Sequence, residues 1–493
     1  MKKLVFWVSL LIAGFLQAQR VQIIHNSPDP MLRTVDIWVN GGEQPILDDF
    51  PFRGATPFID IGSLGITGNI TIEIKPKNSN AQTPALLTKQ IFLNSNDVKY
   101  IIANGLINTA AYANPFGYNL SADLLLVDAL IESNSNDTYS LRLFHGVSDV
   151  SPVSIFLNNN LQPSVPLLTY GRASSYINMA AEVSNSIAIR IPGQNATIAQ
   201  LEINSRGKGG KTGILLGSGF AFPANNNNGP FLAFFLVNPD GSTEVVNIET
   251  ATVEILNNVS DPTAPGLFFG IKNLNLNIET PTSTIGYLQA YQTGVGVNNT
   301  WQIIAYDAQG NVRAVSSPFL AQRGGRYRFV LNGVVNLSNY DLSVNGTAIH
   351  VSFFEWGGSN LSNPNLGNVA FRVLHASPDA PAVNVSVRQL GVTPIKNLSY
   401  RQATEVIQLP ADYYIFDISP SGVPNLVLSY AIDFNEYTNK RGIIFASGYL
   451  EPSRNQNGAE FGIYFWPEGA TRATPLESIP LSWCDTPVDI RVQ

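Results

Sequence analysis

One phrase occurs four times in this chain. It reads VQIIHNSPD at residues 21–29, LRLFHGVSD at 141–149, VEILNNVSD at 253–261 and FRVLHASPD at 371–379. The starts at 21, 141, 253 and 371 are 120, 112 and 118 residues apart. A period that long is a small domain rather than a solenoid unit of a few dozen residues. The sequence therefore predicts a leader at 1–18 followed by copies of one module at 19–136, 137–250, 251–368 (a degenerate copy) and 369–493. A module of roughly 115 residues can bury about two-thirds of its unfolded surface and hold a core of its own.

Two further phrases follow the first. One is FRGATPFI at 52–59, YGRASSYI at 170–177 and YRQATEVI at 400–407, with IGYL at 285–288 as the remnant in the third copy. The other is an apolar run ending in glycine: YIIANG at 100–105, GILLGSG at 213–219, FVLNG at 329–333 and GIIFASG at 442–448. Such a run reads as a central strand closed by a positive-φ turn. Elsewhere the pattern alternates. In VDIWVN at 35–40, Val35, Ile37 and Val39 point one way and Asp36, Trp38 and Asn40 the other. Runs of helical period with cap residues are scarce, and Asn, Gly, Pro and Asp clusters punctuate the strands. The expected fold is all-β, four tandem antiparallel β-sandwich modules of immunoglobulin-like or transthyretin-like type. Successive modules are expected to pack against each other, because the junctions near 134–137, 243–252 and 359–368 are too short to be flexible linkers.

Composition narrows the setting. Lys2 and Lys3 precede an apolar run at 4–16, which is too short to span a bilayer and has the form of a secretory signal cleaved after Ala18. Gln19 follows where a lipoprotein needs cysteine, so the expected product is secreted or at the cell surface without a lipid anchor, and no later segment reads as a transmembrane span. Loss of the two lysines moves the net charge from −7 to −9, the wrong sign for nucleic acid. The single cysteine, Cys484, allows no intrachain disulfide, so each module must stand on its core.

The fourth copy, HASPDAPAVNV at 375–385, resembles the opening of the bacterial secreted repeats known as domain of unknown function 4397, and the later aromatic-x-x-Ala-Ser/Thr phrase and Gly-ended strand are similar to that family too. The resemblance implies exported β-rich modules, often in tandem, with no established reaction. The Asn-rich composition is similar to that of exported proteins of the Bacteroidota. The chain closes on VDIRVQ at 488–493, which reads as one more strand where many such proteins carry a sorting domain. Either export needs no such tail, or the chain is a truncated form of a longer one.

The recurrent polar residues are His25 with Asp29, His145 with Asp149, Asn257 with Asp261 and His375 with Asp379. A His near a carboxylate can bind a metal or act as a base. Asn257 argues for structure instead, because Asn keeps a hydrogen bond but is a poor transition-metal ligand. These pairs are therefore read as motif residues that hold turns, and no catalytic residue, metal ligand or cofactor is assigned. KGGKT at 208–212 lacks the earlier glycine and the following helix of a phosphate loop and reads as a turn. The Asn-rich loop at 225–228 lacks the acidic spacing of a calcium loop. Asp48 and Asp49 find no placed partner from sequence.

Trp38, Phe156 and Phe268 stand at the outward centre of the second strand, where alternation calls for polarity, and Ser386 takes that place in the fourth copy. They are either covered by a loop or a neighbouring module, or they form a stacking surface for glycans or surface proteins. The expected function is a non-catalytic, adhesive spacer. The alternatives are an extracellular enzyme or accessory module acting on polymer, and a self-assembling surface or filament subunit that pairs through edge strands.

Overall fold

The computed structural model describes residues 19–480 except 63–65, 67, 195, 265, 341–347, 359–363 and 424–426. The expected leader, Cys484 and the closing segment lie outside these residues. The described chain is all-β, and its helical pieces are three-residue 3₁₀ turns such as Pro30–Leu32 and Pro223–Asn225.

The described strands form eight sheets, two for each copy of the repeat. In the first copy, one sheet runs Ile59–Asp60, Arg20–His25, Val98–Asn104, Asp123–Asp128 in spatial order. The other runs Leu47–Pro51, Thr34–Val39, Gly68–Pro76, Leu87–Leu93. Alternation sends Val21, Ile23 and Ile101 from one sheet, and Val35, Ile37 and Ile74 from the other, into a shared core. Each such side chain contributes about 1.5–3 kcal/mol on burial. Separate cores of the same plan surround Leu143 and Ile155 in the second sandwich, Ile255 and Phe269 in the third, and Phe371 and Val385 in the fourth.

The sandwiches are not purely antiparallel as expected. In each copy the opening strand pairs parallel with the Gly-ended strand, in one register: His25 faces Ala103, His145 faces Gly217, Asn257 faces Leu331 and His375 faces Ala446. A parallel pair needs a long crossover. The second sheet, threaded between the two strands, supplies it. Parallel strands are buried on both faces, which is why the Gly-ended runs are apolar without alternation. The closing glycines do adopt positive φ, at 95° for Gly105, 90° for Gly219, 118° for Gly333 and 77° for Gly448. A Cβ on Gly105 would lie 2.4 Å from the Ser121 carbonyl oxygen, so a side chain is excluded there for space as well.

The chain divides into two compact units, one ending at Ile248 and the other beginning at Glu249. Within the first, the sheets holding the parallel pairs turn their other faces to each other. Ile24, Tyr100 and Ile102 of the first sandwich meet Phe144, Ile214 and Leu216 of the second in a buried apolar cluster. Arg53 adds bonds across this contact, donating to the carbonyls of Ser218 at 3.1 Å and Phe231 at 2.8 Å.

The second unit repeats the plan. Leu256, Val330 and Trp356 of the third sandwich join Leu374, Phe445 and Trp466 of the fourth, and Arg401 donates to the His350 carbonyl at 2.8 Å. This contact also encloses charge. Glu254 pairs with Arg328 at 2.8 Å, both almost wholly buried, and with Arg326 at 3.1 Å. The Arg328 guanidinium lies 4.0 Å from the Trp466 ring centre and donates to the Trp466 carbonyl. Burial pushes its pKa down to about 10, against the pull of Glu254 and Glu468.

Candidate functional site

The motif His and Asp sit where the opening strand turns away from the sheet, and all are buried except Asp379, which is half-buried. The His25 ring donates from Nε2 to the Leu32 carbonyl at 2.5 Å, and its Nδ1 accepts from the Ser27 N–H at 3.4 Å. His145 does the same with the Ser151 carbonyl at 3.0 Å and the Val147 N–H at 3.4 Å. His375 donates to the Pro381 carbonyl at 2.9 Å. Asn257 keeps the near bond, its Oδ1 accepting from the Val259 N–H at 3.0 Å, but its Nδ2 donates elsewhere, to the Ile285 carbonyl in the second phrase at 2.8 Å. Each copy donates from this position to a backbone carbonyl of its own sandwich, and an amide can do so as an imidazole does. Burial holds His25 down to about 4, and pushes His145 and His375 below the usual histidine range.

The aspartates do not face these rings. Each carboxylate accepts from the backbone just beyond the closing glycine. Asp29 takes the Ile107 N–H at 2.7 Å. Asp149 takes those of Ala221 and Phe222 at 2.9 and 2.8 Å, and Asp261 those of Val335 and Asn336 at 2.9 and 3.1 Å. Asp379 takes those of Leu450 and Glu451, both at 2.9 Å. The motif thus ties the first turn of a sandwich to its late loop. The second phrase is explained alongside. Its Ser or Thr hydroxyl accepts a bulge N–H of the opening strand, from Ile23 to Thr56, Leu143 to Ser174 and Val373 to Thr404, each at 3.0 Å. Its second residue is left-handed in the three clear copies, with φ of 66° at Arg53, 70° at Gly171 and 70° at Arg401. In the third copy Leu288, the last residue of IGYL, takes that place with φ of 61°, its N–H donating to the Asn257 carbonyl as that of Arg53 does to His25.

Each of the three outward aromatics is engaged within its own sandwich. Trp38 is only 2% exposed. Its own sandwich covers it: Nε1 donates to Ser79 Oγ at 2.9 Å and the Lys75 ammonium lies 4.5 Å from the ring. It is therefore not a stacking surface. Phe156 is half-buried under the Arg190 guanidinium, 4.3 Å from its ring centre. Phe268 stacks on Tyr306 with ring centres 5.1 Å apart. It is also out of register with the other two. Pairing places Phe269 with Ile37 and Ile155, so Gly270, not Phe268, takes the Trp38 position.

KGGKT leads into the strand Thr212–Ser218, so no phosphate loop forms there, and Lys208 pairs with Glu244 at 2.7 Å. In the Asn-rich loop, Asn226 is buried and donates to Asp149. The fold does collect Asp36, Asp48 and Asp49, whose oxygens lie within 4.8 Å of one another. Asp36 is already engaged there. Burial opposes its charge, yet bonds from the Ser79 hydroxyl and from the Asp49 and Ser79 N–H groups hold its carboxyl below the usual range.

Sequence reasoning passed over the aromatics of the late loops in the first unit. Phe116 is 44% exposed, Phe222 51% and Phe231 66%. Their loops are joined, since Tyr112 stacks on Phe220 at 5.5 Å and the Ala113 N–H donates to Asn226 Oδ1 at 3.1 Å. A row of rings, Phe116 on Tyr118 on Tyr170, leads back to His145. The available signal was an aromatic beside Pro or Gly, as in NPFG at 114–117, FP at 222–223 and PF at 230–231.

Residues 369–453, in the fourth sandwich, match the family described as Domain of unknown function (DUF4397). The match takes in one copy of the repeat. No curated protein matches the chain. Among solved structures, the Bacillus anthracis TIE protein is similar at 10% identity with a TM-score of 0.17, over 83% of this chain. The chain spans 65% of that protein's length.

Proposed function

We propose that this protein is an exported, non-catalytic surface protein in which four related sandwiches, all derived from the domain matched at 369–453, act as a spacer and present loops that bind glycans or surface proteins. The observation that carries this reading is the use made of the recurrent polar groups. The residues that looked most like chemistry, His25, Asp29 and their counterparts, spend their hydrogen bonds on the backbone of their own sandwich. The apolar contact within each unit suits a spacer, because it braces adjacent sandwiches against each other. The binding surface is assigned to the exposed rings of Phe116, Phe222 and Phe231, since aromatic side chains give large contact area at low entropic cost.

Purified mature chain tested on glycan arrays and on intact cells examines this directly. Binding that drops at least tenfold when Phe116, Phe222 and Phe231 are all changed to Ala supports the assignment. Absence of binding, with normal adhesion of a strain lacking the protein, contradicts it.

A further inference from the structure

A cavity recurs between the sheets of the second and fourth sandwiches, about 40 Å³ in each. The walls are equivalent residue by residue. Leu143 and Val373 face it from the opening strands, Ile155 and Val385 from the opposite sheet, and Phe234 and Ile463 from the strand after the closing loop. One imidazole edge, His145 or His375, stands at its end. Its remaining lining is apolar, so water entering it would find too few partners to hold it there.

Comparison within the chain shows what opens this space. The last inward position of the Gly-ended strand is Gly217 in the second sandwich and Ala446 in the fourth. The third sandwich puts Leu331 there, wholly buried in a core with Phe269 and Phe353. The first has Ala103, but Phe50 fills from the side where the others carry Leu168 and Leu398, and the space shrinks to about 10 Å³. The same position thus carries a leucine in one copy and a glycine or an alanine in the two that hold the cavity. The hollow ones open beside Leu232 and Phe461, which are half-buried at the rim.

We propose that the second and fourth sandwiches each bind a small apolar group, a hydrocarbon chain end or ring without hydrogen-bonding atoms, between their sheets. Shape and dryness select it, and a ligand's polar end, where it has one, stays at the rim. This stands apart from the binding assigned to the loops.

Two probes test it on the full mature chain: crystals under xenon pressure, and thermal unfolding in solution with toluene or with dodecanoate. Expected are xenon density in both cavities and a rise in unfolding temperature with at least one compound. A shift with dodecanoate alone assigns an acyl chain, and one with toluene alone assigns a ring. The rise should fall by half or more in the filled double variant Gly217→Ala, Ala446→Leu. A Cβ at Gly217 meets Val147 Cγ2 at 3.1 Å, so small adjustments accommodate it. Ala446→Val serves if Leu disrupts folding. No shift with either compound, or an equal shift in the filled protein, overturns the proposal.

Discussion

The carboxylate of Asp149 accepts a hydrogen bond from Asn226 Nδ2 at 2.9 Å, and Asp379 repeats the contact with Asn455 at 3.0 Å, more than seventy residues along the chain in each case. The same two carboxylates hold the late-loop N–H groups. Asp149→Ala leaves those donors buried without an acceptor. A loss of roughly 2–4 kcal/mol is expected, read as lower thermal stability of the first unit. Asp149→Asn, which keeps an acceptor but loses the charge, is expected to lose about half as much.

Acid should weaken the sandwiches before it unfolds them. His25 has a folded pKa of about 4 against an ordinary 6.5, because burial disfavours the charged ring, and His145 and His375 shift the same way. The unfolded chain therefore takes up these protons first. The stability due to a neutral ring is complete above about pH 6.5 and is lost as pH falls toward 4. For His25 this amounts to at most about 3 kcal/mol. Thermal unfolding between pH 7 and 4 should show the decline, and His25→Asn should flatten its share.

The buried charge in the second unit is expected to be costly to disturb. Glu254→Gln removes the carboxylate opposite Arg328 and leaves the guanidinium enclosed by Trp356 and Trp466. A loss of about 3–5 kcal/mol follows from stranding a buried ion. Unfolding of the second unit, followed by tryptophan fluorescence, measures it.

Trp38 and Phe231 should behave in opposite ways. Trp38→Ala empties a buried site and is expected to cost about 3–5 kcal/mol with no change in ligand binding by the loops. Phe231→Ala, at a ring 66% exposed, should leave stability within about 0.5 kcal/mol and weaken binding to cells or glycans. Paired melting and binding measurements on the two variants separate the roles.

Local signals were readable along the chain and distant ones were not. Alternation in VDIWVN and the glycine after each apolar run dictated strands and turns through the φ, ψ and pleat of a few neighbouring residues. The parallel pairing of Arg20–His25 with Val98–Asn104 joins segments far apart, and no local pattern declares a partner. The misplacing of Phe268 has a simple cause. A slip of two residues keeps every side chain on its own face, so alternation cannot detect it. The stretch from the motif Asp to the first inward residue, Val35, Val153, Leu267 or Val383, is longer in the first and third copies. The cover over Trp38 depends on one hydroxyl, Ser79, brought over by a loop of no special composition, and one ammonium, Lys75, on the neighbouring strand. The trio Asp36, Asp48 and Asp49 likewise exists only after two strands pair.

The most direct measurement replaces all three motif histidines with the residue found in the third copy, giving His25→Asn, His145→Asn and His375→Asn in one full-length chain. Asn257 shows that an amide at this position also donates to a carbonyl of its own sandwich and accepts the N–H two residues on. The account predicts a folded protein with an unfolding temperature near the original at pH 7 and unchanged binding to cells or glycans. A protein that folds as before yet loses its activity would contradict it, because the imidazoles would then be serving chemistry rather than the turn.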